Sequence, residues 1–190
     1  MVFKKSMAEV KILIEGYTSA DSGGEKTCAT ITLIKDGNNK IIVDPGVLEN
    51  QKMLVDKLKE EGLLVDDINI VFITHSHIDH YRNIGMFSEA KTLEYFGLWD
   101  KNTVQDWPEQ FSEDIKIIKT PGHNYDGLTF LVKTSDGIVA ICGDVFWKKN
   151  FPEVEDDIYA TDKEKLKESR KKVLESADWV IPGHAGMYKI

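Results

Sequence analysis

The segment Ile68-Asn69-Ile70-Val71-Phe72-Ile73 is almost continuously apolar and rich in β-branched residues. A strand with one face in water alternates apolar and polar positions. An unbroken run instead predicts a strand buried on both faces, with further layers packed above and below its sheet. The flanking sequence supplies those layers. Lys11–Glu15 reads as a first strand, followed by an irregular stretch containing Asp21-Ser22-Gly23-Gly24. Thr27–Lys35 and Lys40–Val43 are strand-like and flank Asp36-Gly37-Asn38-Asn39, a strong hairpin signal. Val47, Leu54, Val55 and Leu58 recur at helical spacing, with Gly62 as a stop. In the second half, Ile115–Lys119, Leu128–Lys133 and Gly137–Ile141 are strand candidates, the last two joined through Thr134-Ser135-Asp136-Gly137. An acidic connector from Glu153 to Asp157 leads into a helix carrying Leu166, Val173, Leu174 and Ala177 on one stripe, and Trp179–Ile181 is a short last strand. Hairpins and helices in each half predict two sheets packed face to face with helices outside, in one domain covering residues 1–190.

The residues just after the buried strand carry the chemistry: Thr74-His75-Ser76-His77-Ile78-Asp79-His80. In extended backbone, residues two apart point the same way, so His75 and His77 can share one metal ion. Asp79 and His80 come where the chain turns into a helix, with Asp79 a natural N-cap, and can aim at a second point a few ångströms away. His123 follows Thr120-Pro121-Gly122, Asp144 follows Cys142-Gly143, and His184 follows Ile181-Pro182-Gly183. In each case a Gly lets the backbone come close. The chain has five histidines, and all of them belong to this set. Imidazole and carboxylate are the ligands of zinc, or of iron and manganese, sites.

Composition narrows the alternatives. With 190 residues, 42% of them hydrophobic, the chain can bury a sizeable core without disulfides. Cys28 and Cys142 form no spaced cluster and read as small core hydrophobes. The formal net charge of -8 argues against a broad nucleic-acid surface, which needs dense Lys and Arg. It leaves room for a phosphodiester in a pocket whose local sign is set by metal ions. Lys4 and Lys5 precede no apolar stretch, and no run of about 18 apolar residues occurs. The expected setting is therefore cytoplasmic, away from membranes, with a homodimer as an allowed assembly.

His-x-His-x-Asp-His after a buried strand, then Pro-Gly-His, Gly-Asp and Pro-Gly-His in that order, resembles the metallo-β-lactamase superfamily over nearly the whole chain. Gly143-Asp144-Val145-Phe146, Ser169–Leu174 and Ala177–His184 are most similar to its metallo-β-lactamase domain-containing protein 1-like branch. The resemblance implies a four-layer αβ/βα sandwich of two mixed β-sheets, with metals at the open edge between them. It implies that His75, His77 and His123 bind metal one, that Asp79, His80 and His184 bind metal two, and that Asp144 bridges them. Asp44, in Ile42-Val43-Asp44-Pro45-Gly46, matches an aspartate beneath the site and orients ligands. The sequence departs from many members after His123, where Asn124-Tyr125-Asp126-Gly127 follows. Asp126 is either a partner for a ligating histidine or a plain turn residue.

Two divalent metal ions, with zinc expected and iron or manganese as alternatives, would share a water and supply hydroxide at neutral pH. Asp79, the expected catalytic residue, would orient it or take its proton. No Ser or Cys sits in a nucleophile motif. The expected activity is hydrolysis of an ester, thioester, lactone or phosphodiester. A second class is an oxidoreductase like the persulfide dioxygenases, using one iron. A third, a binding protein on the same fold, would have lost ligands, and none is missing here. Tyr95, Phe96, Trp99 and Trp107 either wall the substrate groove or pack the core beside a connecting helix. Tyr17 with the loop to Lys26 is a candidate facing wall. Lys148 and Lys149 follow Asp144 closely enough to meet an anionic substrate, unless they are simply solvated.

Overall fold

A computed structural model of the chain describes residues 7–19 and 26–190. Lys4, Lys5 and the Asp21–Gly24 stretch lie outside the described residues. The first half forms β1 (Glu9–Ile14), β2 (Tyr17–Thr18), β3 (Thr27–Cys28), β4 (Ile31–Asp36), β5 (Asn39–Val43), α1 (Lys52–Glu60) and β6 (Ile70–Phe72). It continues with α2 (Ile78–Tyr81), β7 (Lys91–Glu94), β8 (Gly97–Asp100) and β9 (Thr103–Gln105). The second half forms β10 (Ile115–Lys119), β11 (Leu128–Thr134), β12 (Gly137–Ile141), α3 (Lys163–Ser176), β13 (Trp179–Ile181) and β14 (Tyr188–Lys189).

One sheet has seven strands in the order β1-β4-β5-β6-β7-β8-β9, the other five in the order β10-β11-β12-β13-β14, and β2-β3 is a short ribbon. Both large sheets are mixed, since β5–β6, β6–β7 and β12–β13 pair in parallel among antiparallel neighbours. Side chains alternate between two destinations, as the pleat requires. Ile41, Val43, Ile70 and Phe72 face inward and meet Phe130, Val132, Val139 and Ile141 of the second sheet. Phe72 and Phe130 stack across that core with ring centroids 4.4 Å apart. Ile42 and Val71 face outward, onto Leu54 and Leu58 of α1. Leu131, Ala140 and Val180 face the other way, onto Leu166 and Val173 of α3. The result is the expected four-layer αβ/βα sandwich, and β6 is buried on both faces as its composition requires.

The two hairpin signals hold. Asp36 pairs with Asn39 across Gly37 at φ 59°, and Thr134 pairs with Gly137. Gly62, at φ 71°, ends the chain segment after α1, and Asp162 caps α3 by accepting the Lys165 amide at 3.0 Å. Four expectations need correction. Thr27–Lys35 is not one strand. It breaks at Ala29-Thr30, whose amides leave the ladder to donate to Asp79 O and Gly183 O. Val47 lies ahead of α1 rather than on its stripe, and Leu174 of α3 is 41% exposed. The α3 stripe therefore narrows to Leu166, Val173 and the flanking Ala177. The connection after α2 is only a short 3-10 turn, Ile84–Phe87, and the aromatic stretch beyond it is sheet: β7, β8 and β9 extend the first sheet as an antiparallel meander.

Candidate metal centre

The C-terminal ends of β5, β6, β10, β12 and β13 deliver their next residues to one edge of the sandwich, the edge where open α/β sheets place ligands. β5 delivers Asp44, β6 delivers His75 and His77, β10 His123, β12 Asp144, and β13 His184. Asp79 and His80 come from α2. All seven residues expected to hold metal converge there. One nitrogen or oxygen each from His75, His77, His123 and Asp144 lie within 4.8 Å of one another, as do those of Asp79, His80 and His184. Asp144 sits between the groups. Its Oδ2 is 3.3 Å from His123 Nε2 and 3.9 Å from His75 Nε2, while its Oδ1 is 3.3 Å from His80 Nε2 and 3.2 Å from His184 Nε2.

Close backbone approach makes this possible. A Cβ on Gly183 would overlap Asp144 Oδ1, and one on Gly143, at φ 50°, would collide with the Thr74 side chain. Asp44 takes φ 49°, an uncommon conformation for a residue with a side chain. It is held there by its contacts: Oδ1 accepts the Thr74 amide at 2.8 Å, and Oδ2 accepts the Thr74 hydroxyl at 2.7 Å. Asp44 Oδ2 also lies 2.7 Å from His80 Nδ1, as expected of a residue that orients a ligand from beneath.

The ring nitrogens are sorted by their neighbours. His80 Nδ1 donates to Asp44, His184 Nδ1 donates to Cys28 O at 3.0 Å, and His123 Nδ1 donates to Asp157 Oδ2 at 3.2 Å. The Thr74 hydroxyl gives its hydrogen to Asp44, so its oxygen accepts from His75 Nδ1 at 3.1 Å. With a metal bound, each of these four rings would keep its proton on Nδ1 and turn the Nε2 lone pair inward. The inward atoms fit a cation. His75 Nε2, His80 Nε2 and Asp144 Oδ1 are buried and make no hydrogen bond among the described residues, a costly state that coordination to a divalent ion relieves.

Charge within the cluster is divided. Burial holds His75 well below its ordinary pKa, with His80 adding to the shift, and burial lowers His77 too. Burial also opposes charge on His80, but the Asp144 and Asp44 carboxylates outweigh it and raise His80 well above the usual range. For Asp144 burial is again opposed, by His184 and His80, and its carboxyl lies well below the usual range.

Several details differ from expectation. Asp79 is not the N-cap of α2: that position is His77, in extended conformation. The Asp79 carboxylate is occupied elsewhere, accepting the Thr27 hydroxyl at 2.8 Å and lying 3.6 Å from His184 Nε2. Asp126 makes no hydrogen bond to a cluster histidine among the described residues, and its Oδ2 accepts the Ser76 amide at 3.0 Å. The histidine partner is Asp157, 34 residues beyond His123 in what reads as an acidic connector. Only a buried position (1% exposed) distinguishes it from its neighbours. A cleft of about 350 Å³ opens over the cluster, walled by Thr18, Thr27, Ile78, Trp147 and Tyr159. Trp147 stacks on Tyr159 at 5.6 Å and stands edge-on to His123 and His184. Tyr95, Phe96, Trp99 and Trp107 are not among the walls; Tyr95 and Trp107 instead pack against the core between the sheets, the other expected role. Tyr17 is not a wall either; its neighbour Thr18 is. Lys148 reaches the Thr18 carbonyl at 3.4 Å, and Lys149 lies over the Tyr188 ring.

Residues 29–101 match the metallo-β-lactamase superfamily. A "Metallo-beta-lactamase domain-containing protein 1" of Xenopus laevis is 30% identical, covering 95% of this chain and 81% of its own length. A protein of Methanocaldococcus jannaschii named as a probable metallo-hydrolase is 31% identical over 98% of this chain and 92% of its own. Among solved structures, a Thermotoga maritima chain assigned by name to the metallo-β-lactamases superposes with a TM-score of 0.76 at 26% identity. It covers 97% of this chain and 100% of that one. Similarity of that extent, on a sandwich whose edge gathers a metal-type His/Asp cluster, decides the family: the chain belongs to the metallo-β-lactamase superfamily of metal-dependent hydrolases, in its metallo-β-lactamase domain-containing protein 1-like branch.

Proposed function

We propose that the chain hydrolyses an ester, thioester, lactone or phosphodiester bond with two divalent metal ions, zinc by ligand type. The supporting observation is Asp144, which lies between the groups, with Oδ2 toward His75 and His123, Oδ1 toward His80, and His184 Nε2 3.2 and 3.3 Å from Oδ1 and Oδ2. His75, His77 and His123 would hold one ion, Asp79, His80 and His184 the other, and Asp144 would bridge them. Held there, the metals would supply an activated water at neutral pH and would polarise the oxygen of the bond under attack.

The chain's own residues do the rest. Thr27 fixes the Asp79 carboxylate by donating its hydroxyl hydrogen to Oδ2, leaving Oδ1 to take the proton of the attacking water. The hydrogen bonds to Asp44, Thr74, Cys28 and Asp157 set the imidazole tautomers before metal arrives, so little reorganisation is needed. Trp147 and Tyr159 wall the cleft and shield the reacting bond from bulk water.

Elemental analysis of purified protein, paired with a screen of carboxyl esters, thioesters, lactones and phosphodiesters, tests this. About two metals per chain are expected, with turnover lowered at least ~10²-fold in Asp79→Ala. Equal activity of variant and parent, or a single iron per chain with oxygen uptake on a persulfide, would overturn the proposal.

A further inference from the structure

A second cavity, of about 210 Å³, lies behind the His75-Ser76 turn and shares no lining residue with the cleft over the metal cluster. Four aromatic residues that the hydrolytic mechanism does not use, Tyr81, Tyr95, Phe96 and Tyr125, line it together with Glu94 and Asp126, and His75 forms part of its floor. The rings form a corner rather than a stack. Tyr95 meets Phe96 at 5.3 Å and 86°, and meets Tyr125 at 6.2 Å and 77°. Phe96 and Tyr125 are 65% and 57% exposed, although nothing in a folded core requires two large rings to stand open side by side.

The polar groups give this corner a sign. Asp126 is 4% exposed, and its Oδ2 is used by the Ser76 amide. Its Oδ1 is buried and has no hydrogen-bond partner among the described residues. Glu94 accepts from the Phe96 amide at 2.9 Å and the Trp99 indole at 2.6 Å, which fixes the carboxylate beside the rings. Among the described residues, no Lys or Arg lines the cavity. Tyr95 already attracts a cation, since Lys119 Nζ lies 4.7 Å from its ring centroid, but Lys119 belongs to the neighbouring groove. Ring faces with negative quadrupoles and two carboxylates, one of them with a buried unpartnered oxygen, together select a positively charged guest with an apolar body.

We propose that this cavity is a binding site for a small organic ammonium ion bearing at least one N–H. The alkyl part packs between Tyr95, Phe96 and Tyr125, and the charged head faces Asp126 and Glu94. The site adjoins the metal centre only through His75, opens away from the cleft, and does not depend on what that centre hydrolyses.

The test titrates isobutylammonium chloride into the metal-loaded protein at fixed ionic strength and follows amide resonances by NMR, with isobutanol as the uncharged counterpart. Saturable shifts centred on Ser76, Glu94–Phe96 and Tyr125–Asp126 are expected, and isobutanol should bind about tenfold more weakly. Phe96→Ala and Tyr125→Ala, both at exposed positions outside the metal cluster, should each weaken binding while metal content and Tm stay as in the parent. Equal affinity for isobutanol, shifts centred on Asp79 and Trp147, or no saturation in the tens of millimolar range would overturn the assignment.

Discussion

In the sequence Asp157 is one more acidic residue in a short acidic run; in the fold it is the carboxylate behind His123. Its Oδ1 accepts the Tyr159 amide at 3.0 Å, so one side chain ties a cleft wall to a metal-type nitrogen. On the proposed two-metal reading, removing its charge should loosen the ion held through His123 and spare the other. For Asp157→Asn, affinity for the ion on the His123 side should fall about 10- to 100-fold. Competition with a chromophoric chelator measures this, and a uniform loss of both metals would contradict it. Tyr188 yields a pH prediction. Burial raises its phenol above the ordinary value, with Cys142 adding and Arg170 opposing, and its hydroxyl has no partner among the described residues. A raised acid stays neutral in the fold over a range where the unfolded chain ionises. The stability it contributes is full below about pH 10 and is lost as pH rises through the folded value. Denaturation midpoints taken across that range should fall more steeply for the parent than for Tyr188→Phe.

At the scale of elements, α3 shows how a helix of low average hydropathy is held. Its apolar face narrows to Leu166 and Val173, both fully buried against the second sheet and flanked by Ala177, while Leu174 stands 41% exposed. Leu166 also receives the Gly122 backbone so closely that a Cβ there would strike it, which couples the helix to the loop bearing His123. Leu166→Ala should therefore cost about 2–5 kcal/mol, and Leu174→Ala should stay within about 0.5 kcal/mol, both read from urea denaturation. Asp162→Ala, which removes the side chain accepting the Lys165 amide, should cost about 1 kcal/mol. A Leu174 variant as damaging as the Leu166 variant would mean that the helix packs on a wider face than the burial pattern gives.

At the scale of the molecule, the metal-type cluster draws His75, His77, Asp79 and His80 from the first half and His123, Asp144 and His184 from the second. Ions bound there would cross-link the two sheets and favour the folded state by mass action, by about 4 kcal/mol at a thousandfold excess over Kd. Chelation should lower Tm and added zinc should restore it; an unchanged Tm after complete metal removal would speak against a ligand set shared between halves. The division of information follows the range of the forces. Ile68–Ile73, the Asp36–Asn39 hairpin, the α1 stripe and the glycines before His123, Asp144 and His184 express themselves within a few residues. The sequence by itself therefore determines the layered fold and names all seven converging side chains. What no local pattern encodes is contact across distance: the break at Ala29-Thr30 caused by Asp79 O and Gly183 O, the Asp157–His123 hydrogen bond, and the meander that carries Tyr95 and Phe96 away from the cleft. Only the tertiary structure decided these, because a backbone amide or an aromatic ring takes whichever partner the packed chain brings within reach.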